Sequence, residues 1–114
     1  MKTDVLERWT LDKASELYGV KNWGIGYFDI SENGDMIVRP NGQTGNVSIN
    51  MMELIAGMKA RGLNMPVLLR FADILSARIN QLYDAFNTAI SDYKYKGIYR
   101  GVYPIKVNQQ KQVV

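Results

Sequence analysis

The strongest constraint in this sequence is a long apolar stripe set between two short β-like runs. Leu75, Ile79, Leu82, Phe86, Ala89 or Ile90, and Tyr93 recur at steps of four and three. That is the period of one face of an α-helix, here about six turns long. Before it, Pro66 opens Val67-Leu68-Leu69-Arg70-Phe71, a run too short for a helix that reads as a buried strand. After it, Gly97 is placed to close the helix, and Ile98 to Val107 reads as a further strand with Pro104 near its end. The order strand, long helix, strand favours parallel strands joined by a right-handed crossover.

A different pattern precedes this unit. Thr10 is suited to cap a helix from Leu11 to Tyr18, with Gly19 at its C-terminal end. Asn33-Gly34 lies between Gly26-Tyr27-Phe28-Asp29-Ile30 and Met36-Ile37-Val38-Arg39-Pro40, a strong short-range hairpin signal. A Gly- and Asn-bearing loop spans 41–47. Asn50 with Glu53 then resembles a capping box for a helix whose apolar face is Met51, Leu54, Ile55 and Met58, ended by Gly62. The fold class is therefore α/β, a hairpin segment followed by the start of a strand–helix–strand layer.

Composition excludes several chemistries. The 114 residues contain no His and no Cys. A Ser-His-Asp triad, a Cys-His pair, a thiolate nucleophile, a disulfide and an imidazole or thiolate zinc site are all ruled out within the sequence. Catalysis must use Lys, Asp, Glu, Tyr or Ser, or a cofactor. Asp29, Asp35, Asp73 and Asp84 have no metal-loop spacing. Gly24-Ile25-Gly26 leads into a strand rather than a helix, the reverse of a dinucleotide loop, and reads as a tight turn. Gly42 and Gly45 lack the Lys-Ser/Thr pair of a P-loop. The group Met51, Met52, Met58 and Met65 reads as core filler.

The charge is uneven. Residues 1–40 carry 5 basic and 7 acidic side chains, and residues 41–114 carry 9 and 4. Lys94, Lys96, Arg100, Lys106 and Lys111 alternate with Tyr93, Tyr95, Tyr99 and Tyr103. Bases interleaved with aromatics suit a nucleic acid. The blander reading, a helix end with cations near its negative pole followed by a strand, is preferred because the basic excess is small. The beginning of the chain, with Asp4, Glu7, Arg8 and Asp12, has no apolar signal core, and no run suits a membrane span. A cytoplasmic protein is expected, with no nucleic-acid or membrane partner.

Lys106 stands apart. It lies at the C-terminal end of the apolar run Val102-Tyr103-Pro104-Ile105-Lys106-Val107-Asn108. A lysine on a buried strand end is costly unless paired or used, and burial frees its amine as a nucleophile. The alternative is that the strand ends at Pro104 and Lys106 is solvated.

Gly101-Val102-Tyr103-Pro104-Ile105-Lys106-Val107-Asn108-Gln109 resembles the pyridoxal-lysine motif of biosynthetic arginine decarboxylases. It is more loosely similar to the Lys-x-Asn strand of other barrel-type decarboxylases. Trp23-Gly24-Ile25-Gly26-Tyr27-Phe28, Arg39-Pro40, and Pro66 to Phe71 with Asp73-Ile74-Leu75 occur in the same order in that family. The resemblance covers nearly the whole chain. It implies that residues 1–47, with the hairpin, belong to a β-sheet domain, and that residues 48–114 begin a pyridoxal phosphate-binding β/α (TIM-type) barrel. It implies that Lys106 is both the catalytic and the cofactor-binding residue, holding pyridoxal phosphate as a Schiff base. L-arginine would be converted to agmatine and carbon dioxide for polyamine (spermidine) biosynthesis. Asn108 comes with the motif without a role of its own, and Tyr103 would pack near the cofactor. Magnesium and a homo-oligomer are further implications for the complete enzyme. The family's phosphate-binding loops, the acidic partner of the pyridine nitrogen and the substrate-guanidinium residues lie beyond the lysine. The chain is thus expected to be a truncated portion of the enzyme, inactive by itself. A non-catalytic interaction piece or a subunit of a split enzyme is the alternative.

Overall fold

The protein is described by a computed structural model over residues 8–114; the acidic Asp4 and Glu7 lie outside the described residues. The chain divides into two compact units, Met1–Ala77 and Arg78–Val114.

In the first unit, helix α1 covers Leu11–Leu17, with the Thr10 hydroxyl accepting from the Lys13 amide at 3.3 Å. This is the expected cap and helix, one residue shorter than Leu11–Tyr18. Gly19 follows in the left-handed region and opens a five-residue helix α2, Val20–Gly24, which the periodicity did not signal. The Trp23 indole Nε1 donates to the Tyr18 carbonyl at 2.9 Å and ties α2 back to the end of α1. Gly24-Ile25-Gly26 is the expected tight turn: the Tyr27 amide donates to the Gly24 carbonyl at 2.8 Å, and strand β1 begins at Phe28.

The hairpin forms. Strand β1, Phe28–Ile30, pairs antiparallel with β2, Met36–Val38, in the register Phe28 with Val38 and Ile30 with Met36. The turn differs from the two-residue type that Asn-Gly favours. Of that pair only Gly34 has positive φ. The Gly34 amide donates to the Ser31 carbonyl at 2.9 Å, and the Asp35 carbonyl accepts from the Ser31 amide at 2.8 Å. This is a turn followed by a left-handed glycine, the wider hairpin class. A two-residue strand β3, Ile49–Asn50, adds to the other edge of β2, giving the order β1-β2-β3. Val38, in the central strand, is fully buried.

Helix α3, Met51–Ala60, starts from β3 with Asn50 as its cap. Its half-buried positions are Met51, Leu54, Ile55 and Met58, the four apolar residues read from the sequence; every other position is exposed. Gly62 ends it in the left-handed conformation. Its amide donates to Lys59, and the Leu63 amide donates to Met58, the paired bonds of a Schellman cap.

Val67–Phe71 is not a strand. It follows a cis Met65–Pro66 peptide, and only Leu69 and Phe71 are partly covered. The Phe71 ring meets Phe28 edge-on at 6.5 Å, and Phe28 meets Trp23 at 5.3 Å. The segment has the composition of a strand but no ladder partner among the described residues, and a strand without a partner leaves its amides and carbonyls unpaired.

Helix α4, Ala72–Asp92, is the expected long helix; the boundary between the units falls within it. Asp73 sits in its first turn, where negative charge is favoured. It stops before Gly97. Lys94 takes the left-handed position, its amide donating to Ser91 and that of Tyr95 to Ile90, so a lysine closes a Schellman cap. The last turn holds no basic residue, so the expected cations lie beyond the helix rather than on it. Residues 98–107 form no strand either. The structure is therefore α/β with a three-stranded antiparallel sheet. The expected pair of strands flanking α4 is absent among the described residues.

Candidate functional site

Two placements of Lys106 were open from the sequence, the end of a buried strand or a solvated position. It lies in a turn at residues 105–106 and is exposed, as in the second. The desolvation argument for its reactivity therefore has no footing in this conformation, because residues 102–108 are exposed throughout. The reason is the one that applies at 67–71: an extended segment becomes buried only when neighbouring strands and helices cover both faces. Among the described residues the Lys106 ammonium has no hydrogen bond or ion pair.

Its neighbours are arranged locally. Asn108 accepts the Gln110 amide on Oδ1 at 3.0 Å, an Asx turn that shapes the chain just after the lysine. Tyr103 is exposed. Upstream the chain is held more firmly. The Tyr99 ring stacks on Phe86 of α4, with centroids 4.0 Å apart and planes within 3°, and meets Tyr83 edge-on at 5.0 Å. The Tyr83 hydroxyl accepts the Gly101 amide at 3.3 Å. By sequence Tyr99 belongs to the basic and aromatic stretch and Phe86 to the helix stripe, while Tyr83 carries no signal of its own. Their contacts were not legible because they join residues far apart in the chain; Tyr83 and Gly101 are 18 positions apart.

Two acidic residues of the first unit, Asp29 and Asp35, have structural partners. The Arg39 guanidinium and the Asp29 carboxylate form an ion pair at 2.8 Å. Asp29 lies opposite Ile37 in the ladder, so Arg39, the residue just after β2, is its diagonal neighbour. That guanidinium hydrogen bond, and then the Ile30 amide at 2.9 Å, hold the Asp29 carboxyl below its ordinary range. Asp35 accepts from the Asn50 side-chain amide at 2.9 Å. Among the described residues no three His, Cys, Asp or Glu side chains converge on a possible metal position. The residues present fit pyridoxal phosphate in one respect: the Lys106 amine, accessible and unengaged, can form its covalent link. No helix among the described residues is long and apolar enough to cross a membrane.

No family model matches the chain. Curated proteins do. The chain is 48% identical over 109 residues to a biosynthetic arginine decarboxylase of Gloeobacter violaceus, covering 96% of this chain and 17% of that protein. It is 45% identical over 106 residues to one of Prochlorococcus marinus, covering 93% and 16%. It is 44% identical over 107 residues to biosynthetic arginine decarboxylase 1 of Synechocystis, covering 94% and 15%. The chain spans about one-sixth of the length of the curated relatives it matches.

Proposed function

We propose that this chain, similar over nearly its whole length to curated biosynthetic arginine decarboxylases, supplies the cofactor lysine, Lys106, of an enzyme that converts L-arginine to agmatine and carbon dioxide. The observation that carries the reading is collinear identity of 41–48% over 93–97% of the chain. That span takes in most of the sequence around the lysine motif at 101–109. Lys106 Nζ makes the covalent attachment. Pyridoxal phosphate, once bound, supplies the electron sink that decarboxylation of an amino acid needs. Asn108 sets the backbone turn that follows the lysine. The other groups such a reaction needs, for the phosphate, the pyridine nitrogen and the substrate guanidinium, are contributed by the parts of the enzyme that this chain does not span. In that enzyme residues 48–114 begin a β/α barrel, residues 1–47 belong to a sheet domain, and the setting is cytoplasmic and oligomeric.

Two measurements test this. The complete decarboxylase containing this segment, treated with pyridoxal phosphate and borohydride, is expected to carry the label on the peptide containing Lys106. Label elsewhere, or label that survives Lys106→Ala at the same level, overturns the assignment. The 114-residue chain with added cofactor and L-arginine is expected to release no agmatine. Turnover by the purified chain would show that its own residues complete a site.

A further inference from the structure

The motif around Lys106 is exposed and irregular, yet the chain just before it is fixed to α4 by three separate contacts. Phe86 and Tyr99 are stacked at 4.0 Å, Tyr83 meets Tyr99 edge-on at 5.0 Å, and the Tyr83 hydroxyl accepts the Gly101 amide at 3.3 Å. Gly101 fits the same arrangement: a Cβ there would sit 3.4 Å from the Tyr83 ring and hydroxyl, so the backbone lies directly against that side chain. All of these groups lie in the second unit, with Lys106 five positions after Gly101. Aromatic pairs of this geometry contribute beyond their buried area, and the hydroxyl satisfies an amide that has no strand partner.

We propose that Tyr83, backed by Phe86 and Tyr99, is a positioning residue for Lys106. It anchors the chain at Gly101 and so fixes the point from which the lysine segment reaches the cofactor. This rests on the reading of Lys106 as the cofactor lysine. The anchor works through backbone placement. Tyr83 need not touch the cofactor, since the lysine it places lies five positions beyond the Gly101 amide that it binds.

The test is Tyr83→Phe in the complete decarboxylase, which keeps the ring and removes only the hydroxyl. The readouts are borohydride labelling of Lys106 at subsaturating pyridoxal phosphate, with Lys94 and Lys96 as internal controls, and the pH profile of the bound cofactor's visible absorbance. Labelling of Lys106 is expected to fall by about 2–12-fold, the factor that one neutral hydrogen bond represents. Labelling of Lys94 and Lys96 should be unchanged, and the absorbance profile should shift. Phe86→Leu, which removes the stacked partner, should lower Lys106 labelling in the same selective way. Equal labelling of Lys106 in wild type and both variants, with an unshifted profile, overturns the proposal. So does a parallel change at all three lysines, which marks general loosening instead. Failure of wild type to label Lys106 at all is a distinct result and overturns the functional reading on which this one rests.

Discussion

Asn50 joins three parts of the first unit, and its replacement gives a sharp test of how that unit is held. Its Oδ1 accepts the Met52 amide at 2.8 Å and the Glu53 amide at 3.2 Å, while its Nδ2 donates to the Asp35 carboxylate at 2.9 Å. One side chain therefore caps α3 and ties it to the hairpin turn. Asn50→Ala removes both functions. A lost cap costs about 1 kcal/mol. A hydrogen bond to a carboxylate is stronger than a neutral one, but this pair is only partly buried, so about 1 kcal/mol is the appropriate share. The sum, about 2 kcal/mol, corresponds to a midpoint lowered by about 8–16 °C for a unit of this size. Asn50→Asp separates the two functions. It keeps an acceptor for the helix amides but sets a second carboxylate against Asp35. At neutral pH it should be destabilised by the lost bond and the like-charge contact. One carboxyl of the pair then has a folded-state pKa above its unfolded value, so stability should return as pH falls towards 4 and that group takes up a proton. Asn50→Ala has no such recovery. Thermal and urea unfolding followed by circular dichroism from pH 7 to pH 4 reads both variants. A double-mutant cycle with Asp35→Ala isolates the pair. Asn50→Asp matching wild type at pH 7, or a cycle with no coupling, would refute this account of the junction.

Two further outcomes follow from the same structure. The Asp29 carboxyl is held low chiefly by Arg39, so its contribution is present above the unfolded carboxylate pKa and is lost as pH falls through the lower folded value; Asp29→Asn should flatten the acid limb of the stability profile below about pH 4, and an unchanged limb would show that the pair contributes nothing. Lys94 occupies the left-handed position that closes α4, so Lys94→Gly should raise the thermal midpoint through a gain of about 1 kcal/mol, and a midpoint at or below wild type would count against that cap.

Local features were legible because their causes are local. Thr10 and Asn50 cap the helices they were expected to cap, since a side-chain oxygen one turn from free amides needs no distant partner. The apolar face of α3 matched residue for residue, because burial on one side imposes the 3.6 period. The hairpin was legible while its turn type was not. Asn-Gly permits two left-handed residues, and here Gly34 alone takes that conformation, with Ser31 and Asp35 completing the wider turn. β3 and α2 were missed because two and five residues are too short to carry a period. Gly97 was the natural stop for α4, yet a lysine three positions earlier closes the helix.

The failures at 67–71 and 98–107 have a single physical origin. Both segments have strand composition, but composition records what a segment does once it is covered, and a strand is completed only by a neighbour. The same holds for the outward face of α4: Leu75, Ile79, Leu82 and Phe86, placed at helical spacing as a buried stripe would be, remain 41–49% exposed. Patterned apolar faces left open in this way are common at surfaces that meet another surface. The chain spans about one-sixth of the length of its relatives. Lys106 falls under the same logic. Its chemistry as a primary amine is carried by the residue itself, whereas the dry, ordered environment that would tune it is a property of the layers placed around it. The motif makes Lys106 the candidate. Whether a lysine is buried depends on the layers around it, which a motif does not encode.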